Sequence, residues 1–160
     1  MDARKRRDKN NYYLDIAETV SERGTCLRRN FGAVIVKNDE IVSTGYTGSP
    51  RSCTNCIDTG SCLREELNVP RGTRYELCRS VHAEQNAIIS ASREKMLDAT
   101  LYLVGVEADG SYVNGAAPCS LCKRFILNAG IKEVIARDTS NTYRVINVET
   151  FMDEDGRNGY

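Results

Sequence analysis

Tryptophan is absent from the 160-residue chain, histidine occurs once, and the charges cancel, with 22 Lys plus Arg against 22 Asp plus Glu. Each shortage removes a class of protein. A single imidazole, His82, excludes any one-chain site built on two or three histidines: the two- and three-histidine zinc centres and the two-histidine, one-carboxylate iron centres. Zero net charge argues against a protein that coats nucleic acid, which needs a net basic field, so no nucleic-acid partner is expected. No run approaches the ~18–20 apolar residues of a membrane span, so no membrane partner is expected either. The start is basic (Arg4, Lys5, Arg6, Arg7, Lys9), but no apolar run follows as in a secretory leader, and a cytoplasmic protein is expected.

What is present is a chain of one-domain length, 41% hydrophobic, with seven cysteines. Residues 1–160 read as a single domain, with the basic arm 1–10 and the polar tail 153–160 expected to be flexible. An odd cysteine count in such a chain favours metal or thiol chemistry over a disulfide framework. Tyr13, Ile16, Ala17 and Val20 make one apolar face of a helix over Tyr12–Glu22, ended by Gly24. Phe31–Val36 and Ile41–Tyr46 read as a hairpin turned at Lys37–Glu40. Thr47–Val81 is long and irregular, holds four cysteines, and has room for a helical piece near Cys62–Asn68. A helix over His82–Arg93, a strand over Thr100–Val106, a polar turn at Asp109-Gly110 and a helix over Cys119–Ala129 ended by Gly130 follow. Ile131–Arg137 and Tyr143–Val148 are the last strands. Strands joined through helices are expected to run parallel and the hairpin antiparallel. The expectation is an α/β fold, a three-layer α/β/α sandwich on a mixed five-stranded sheet.

Two short pieces carry chemistry: His82-Ala83-Glu84 and Pro118-Cys119-Ser120-Leu121-Cys122, each at the start of a predicted helix. Cys119 and Cys122 are three apart, so both thiols lie on one side of a first turn, where the helix terminus favours the thiolate. Two thiolates and an imidazole supply three zinc ligands and leave a fourth position for water, the mark of a catalytic zinc. Glu84, two residues past His82, is placed to take the proton of that water. The combination H-x-E with P-C-x-x-C is the zinc-deaminase signature. Two competing readings are a closed four-thiolate zinc site that includes Cys119 and Cys122, and a redox pair formed by the same two cysteines.

At these residues the chain resembles the deoxycytidylate deaminase family of the cytidine deaminase superfamily, over about Tyr12–Val148. The matching pieces are Gly32-Ala33-Val34-Ile35-Val36, Gly45-Tyr46-Thr47-Gly48-Ser49-Pro50, His82-Ala83-Glu84-Gln85-Asn86-Ala87-Ile88, and Pro118-Cys119 to Cys122 followed by Asn128-Ala129-Gly130-Ile131. The resemblance implies hydrolysis of dCMP to dUMP and ammonia on a catalytic Zn²⁺ held by His82, Cys119 and Cys122. Glu84 would shuttle protons from water to N3 and then to the leaving ammonia. It also implies a homo-oligomer, a hexamer by preference, with dCTP and dTTP as effectors and Mg²⁺ accompanying the effector. A second, structural Zn²⁺ is implied at Cys26, Cys56, Cys62 and Cys78, although Cys53 and Cys56 also have ligand spacing; the competing reading is free buried cysteines. Gly45, Tyr46, Thr47 and Gly48 correspond to the family's substrate and effector loop. Thr47 departs from the usual asparagine there, which weakens the expected effector response and the deoxyribose preference.

A nucleotide phosphate needs a cation at the pocket rim. Arg28, Arg29, Arg51, Arg64, Arg71, Arg74 and Lys123 are all candidates, and the sequence does not choose between them. Tyr46 and Phe125 could line the pocket or belong to the core. The rival functions are deamination of free cytidine or of a tRNA base, and a zinc-stabilised interaction module without catalysis.

Overall fold

The computed structural model describes residues 4–156, and side chains through residue 152. Helix α1 spans Lys9–Ser21 and starts earlier than its apolar stripe, because the Asp8 carboxylate accepts the Asn11 N–H and caps it. Strands β1 (Arg29–Lys37) and β2 (Glu40–Tyr46) form the expected hairpin. Its two turn residues, Asn38 and Asp39, both have positive φ, the geometry that matches strand twist in a tight hairpin. Short helices α2 (Cys56–Thr59) and α3 (Leu63–Glu66) and a 3₁₀ turn at Tyr75–Leu77 punctuate the long cysteine-bearing segment. Helix α4 spans Ala83–Ile89 and α5 Arg93–Met96. The single helix expected over His82–Arg93 is therefore two. Ser92 accepts the Lys95 N–H and starts a new helix, as serine does more readily than it continues one. Strand β3 (Thr100–Glu107), helix α6 (Ser120–Ala129) and strands β4 (Glu133–Arg137) and β5 (Tyr143–Asn147) complete the sheet.

Helix α7, Glu149–Gly156, was not anticipated. The Asn147 side chain accepts the Glu149 N–H, and Phe151 is buried against the core. The polar tail expected from residue 153 thus begins inside this helix, and residues 157–160 lie outside those described. In the basic arm, Lys9 and Asn10 belong to α1, and Arg7 bonds Asp15, Asn141 and the Ser140 carbonyl. Residues 1–3 also lie outside the described part.

The sheet order is β2-β1-β3-β4-β5. β1 is antiparallel to both β2 and β3, so β2 and β3 share a direction with β1 between them. β3 and β4 are parallel neighbours, and β5 returns antiparallel to β4. Strand periodicity divides the core in two. Ala33 and Ile35 of β1 and Leu101 and Leu103 of β3 face α4–α7, whereas Val34, Val36, Tyr102 and Val104 face α1. Both faces of β1 are covered, which is why its residues read as a continuous apolar run rather than an alternating one.

Candidate active site

Helices α4 and α6 stand on the same side of the sheet, packed against each other. His82 is the N-cap of α4, and its N–H donates to Gln85 Oε1 at 2.9 Å. Cys119 is the N-cap of α6, and its sulfur accepts the Cys122 N–H at 3.4 Å. The His82 Nδ1 atom lies 3.5 Å from Cys119 Sγ and 3.3 Å from Cys122 Sγ. All three donor atoms lie within 4.8 Å of one another. A tetrahedral zinc with bonds of about 2.0–2.3 Å spaces its donors by roughly 3.5 Å, so this triad fits the ion in both geometry and donor type. Among the described residues no fourth protein ligand joins the group, which leaves one coordination position for a small molecule.

One of the two thiols is poised for a cation. Cys119 is pushed down to about 4, chiefly by the hydrogen bond from the Cys122 side chain and then by His82. That same bond, together with burial, pushes Cys122 up. The bond to Cys119 raises His82. The pair thus shares a proton that a bound metal would displace. Glu84 stands in the first turn of α4, is buried, and is raised chiefly by desolvation. A carboxyl kept dry in this way can both hold a proton and give it up.

A cavity of about 230 Å³ opens onto this group. It is lined by His82, Glu84 and Cys119, and by Phe31, Thr47 and Tyr75. The Tyr75 ring meets the His82 ring edge-on, centroids 5.1 Å apart. Of the candidate cations, Arg28, Arg29, Arg64 and Arg71 line the cavity; Arg51, Arg74 and Lys123 do not. Arg74 instead pairs with Glu76, and Lys123 lies over the Phe151 ring.

The segment 45–48, the end of β2 and the start of the loop after it, divides. Thr47 alone of its four residues lines the cavity. Its hydroxyl oxygen accepts the Phe31 N–H at 3.0 Å, which leaves the hydroxyl proton to donate elsewhere. Gly45 lets β2 approach α4, since a Cβ there would stand 2.3 Å from the Ala83 carbonyl oxygen. Gly48 pairs with Val81 through two backbone hydrogen bonds and ties the loop to the entry of α4. Tyr46 and Phe125 are neither core nor cavity wall; both are exposed. Phe31 and Tyr75 were not anticipated as cavity residues. Phe31 sits at the start of an apolar strand, and nothing in the spacing of the long loop marks Tyr75.

The remaining cysteines behave differently. Cys56 is buried, and burial pushes its thiol up, with further upward pressure from Cys26, Cys78 and Cys62. These four sulfurs therefore share a neighbourhood, but among the described residues they do not close to metal-ligand distances as the first group does. Cys53 is exposed.

A helix-borne His-x-Glu facing a helix-borne Cys-x-x-Cys on a mixed sheet is the constellation of the zinc-dependent deaminases. Sequence comparison agrees. Residues 7–137 match the family of the cytidine and deoxycytidylate deaminase zinc-binding region, and the chain belongs to that family. It is 33% identical over 131 residues to the deoxycytidylate deaminase of Schizosaccharomyces pombe, covering 81% of this chain and 37% of the yeast protein. It is also 33% identical over 135 residues to the deoxycytidylate deaminase of Mycobacterium phage D29, covering 81% of this chain and 94% of the phage protein. The chain thus spans little over a third of the fungal relative and nearly the whole of the phage one. Among solved structures, the dCMP deaminase of cyanophage S-TIM5 in complex with dCMP and dUMP superposes with a TM-score of 0.55 at 27% identity, covering 79% of each chain. The cytidine deaminase of Burkholderia pseudomallei, at 18% identity and a TM-score of 0.60 over 90% of this chain and 96% of its own, shares the fold.

Proposed function

We propose that this protein hydrolyses dCMP to dUMP and ammonia, with Glu84 as its proton-transfer residue. The observation that carries the reading is a single cavity lined at once by Glu84, His82 and Cys119 and by four arginines. Proton-transfer machinery and a cationic wall in one space suit a pyrimidine nucleotide better than a free nucleoside. Zinc bound at His82, Cys119 and Cys122 would supply Lewis acidity, lowering the pKa of a coordinated water towards neutrality. The Glu84 carboxylate takes a proton from the attacking water as the new C4–O bond forms, and delivers it to N3. It then takes the hydroxyl proton and gives it to the amino group. The C4–N bond breaks, ammonia leaves, and the C4 carbonyl of uracil remains. Tyr75 and Phe31 supply flat apolar wall beside the reacting ring.

Incubation with dCMP, CMP, dCTP, cytidine and a tRNA anticodon stem, with ammonia measured, tests the reading. Release from dCMP far above that from the other substrates is expected. Turnover of cytidine or tRNA alone, or silence with zinc bound, would replace it. The exact charge balance of the chain disfavours tRNA, and a buried Glu84 has no use in a purely structural zinc module.

Three further elements belong to the same proposal. Cys26, Cys56, Cys62 and Cys78 hold a second, structural zinc that draws their neighbourhood together and ties down the 47–81 segment. Self-association, with a hexamer as the expected state, is supported by exposed Ile89 on α4 and Phe125 on α6. Regulation by dCTP and dTTP with Mg²⁺ is read in the same assay by adding each triphosphate. Among the described residues no helix is long and apolar enough to cross a membrane. A cytoplasmic role in nucleotide metabolism belongs to the same proposal.

A further inference from the structure

The four arginines of the cavity are not equivalent. Arg28 pairs with Glu65 at 3.2 Å, and Arg29 takes Glu107 through two nitrogens at 3.1 and 2.9 Å. Both charges are already met. Arg71 is exposed. Arg64, on α3, is only 9% exposed, and among the described residues it forms no salt bridge. Glu76, the acid whose titration it influences, is claimed by Arg74. Its Nη2 donates to the Pro70 and Thr73 carbonyls at 3.2 and 2.8 Å, which fixes the plane of the guanidinium. Its Nε is buried with no hydrogen-bond partner, and no described residue accepts from its Nη1. A buried cation with unspent donors is costly unless an anion completes it.

The position of this cation suits a ligand. Arg64 lies over the Tyr75 ring, Cζ 5.3 Å from the centroid, and Tyr75 in turn meets His82 at 5.1 Å. Tyr75 therefore touches both the guanidinium and the imidazole of the candidate metal site, and all three line one cavity. We propose that Arg64 is the specificity-determining residue for the substrate's phosphate monoester, held ready by Pro70, Thr73 and Tyr75 and left without a carboxylate so that the ligand supplies the anion. This rests on the nucleotide-deaminase reading and adds to it the residue that separates a nucleotide from its nucleoside.

The phosphate carries the same charge in the ground and transition states, so the loss of Arg64 appears mainly in KM. With zinc-loaded enzyme, Arg64→Gln is expected to lower kcat/KM for dCMP by ~10–10²-fold, the range for hydrogen bonds to a charged group. Turnover of deoxycytidine should stay within about threefold of wild type. Arg64→Lys, which keeps the charge but not the two-pronged donor, should recover only part of the dCMP preference. Because Arg64 also braces its loop, the ratio of the two substrates is the deciding quantity: a purely structural role lowers both alike. Equal losses on both substrates, or no loss on dCMP, would overturn the assignment. Thermal stabilisation by dUMP is measured on wild type and both variants as well. If the wild type deaminates nothing yet dUMP stabilises it and not Arg64→Gln, the phosphate assignment stands while the reaction falls. If dUMP stabilises all three equally, the assignment falls whatever the reaction is. Should Arg64→Gln fail to fold, Arg64→Lys with a wild-type substrate ratio would also overturn it.

Discussion

Gly45 offers a direct test of how the sheet positions the chemistry. It lies in β2 beneath α4, and an added Cβ would stand 2.3 Å from both the Ala83 carbonyl oxygen and the Ala87 nitrogen. Both are backbone atoms of the helix, so no side-chain rotation relieves the clash. α4 must move by about 1 Å to reach ordinary contact, and misplacement of that size costs on the order of 10² in rate. The strand holds the helix at this distance through Ser43 Oγ, which donates to the Ala87 carbonyl at 2.7 Å, and through Asn86 Nδ2, which donates to the Tyr46 carbonyl at 2.8 Å. Gly45→Ala is therefore expected to cost ~1–3 kcal/mol of stability by overpacking. At roughly 2–4 °C per kcal/mol for a chain of this size, Tm should fall by several degrees. Turnover per folded, zinc-loaded molecule should fall by about 10²-fold, since α4 carries Glu84 and is capped by His82. Gly32 is the control. Its added Cβ would meet the Ala17 carbonyl oxygen at 1.9 Å, in α1 on the opposite face of the sheet. Gly32→Ala should lower Tm at least as much and leave turnover of the folded fraction within about threefold, because the helix it displaces, α1, carries no residue that lines the cavity. Calorimetry and ammonia release on both variants decide the matter. A Gly45→Ala protein with wild-type Tm and turnover, or equal turnover losses in both variants, would refute the reasoning.

Glu84→Gln keeps the volume of a buried side chain while removing its proton chemistry; zinc content and Tm should be retained and deamination should fall by at least ~10²-fold in a dUMP-release assay. Asp15 is lowered chiefly by its hydrogen bond from Arg7, and then by Arg137, so its contribution to stability is complete above its unfolded pKa and is lost as pH falls through its folded value. Asp15→Asn should accordingly destabilise the protein near neutrality and flatten the acid limb of a Tm-against-pH profile. Zinc binding to the metal-free protein should release protons, because Cys122 holds its proton until the ion arrives; titration calorimetry in two buffers of different ionisation enthalpy counts them, and identical heats would contradict this. Metal analysis of active protein should give two zincs per chain, unchanged in Cys53→Ser and reduced to one in Cys56→Ser; one zinc in the wild type removes the structural site.

Much of the molecule was legible in the chain because it depends on near neighbours. The hairpin, α1 and α6 with its Gly130 terminus follow from period, turn and capping preferences that act over a few residues; His82-x-Glu84 and Cys119-x-x-Cys122 were legible only as a residue pattern, and the approach of their side chains belongs to the fold. The single histidine settled which imidazole a metal could use. Short-range signals misled only where they competed, as at Ser90-Ala91-Ser92, where a continuing apolar stripe lost to a new cap, and at Asn147, where a cap and a buried Phe151 extended structure into a polar tail. Other features required the folded chain. Strand β1 lies between β2 and β3 because both of its edges pair, and its pairing with β3 joins residues some seventy positions apart, which no local pattern encodes. Seven basic residues were equivalent on paper; burial and pairing distinguish Arg64 from Arg28 and Arg29, since the free energy of a charge depends on which distant carboxylate or water it can reach. Gly45 read as part of a substrate loop, and only its distance to α4 reveals that its missing side chain lets β2 approach the helix of the candidate site.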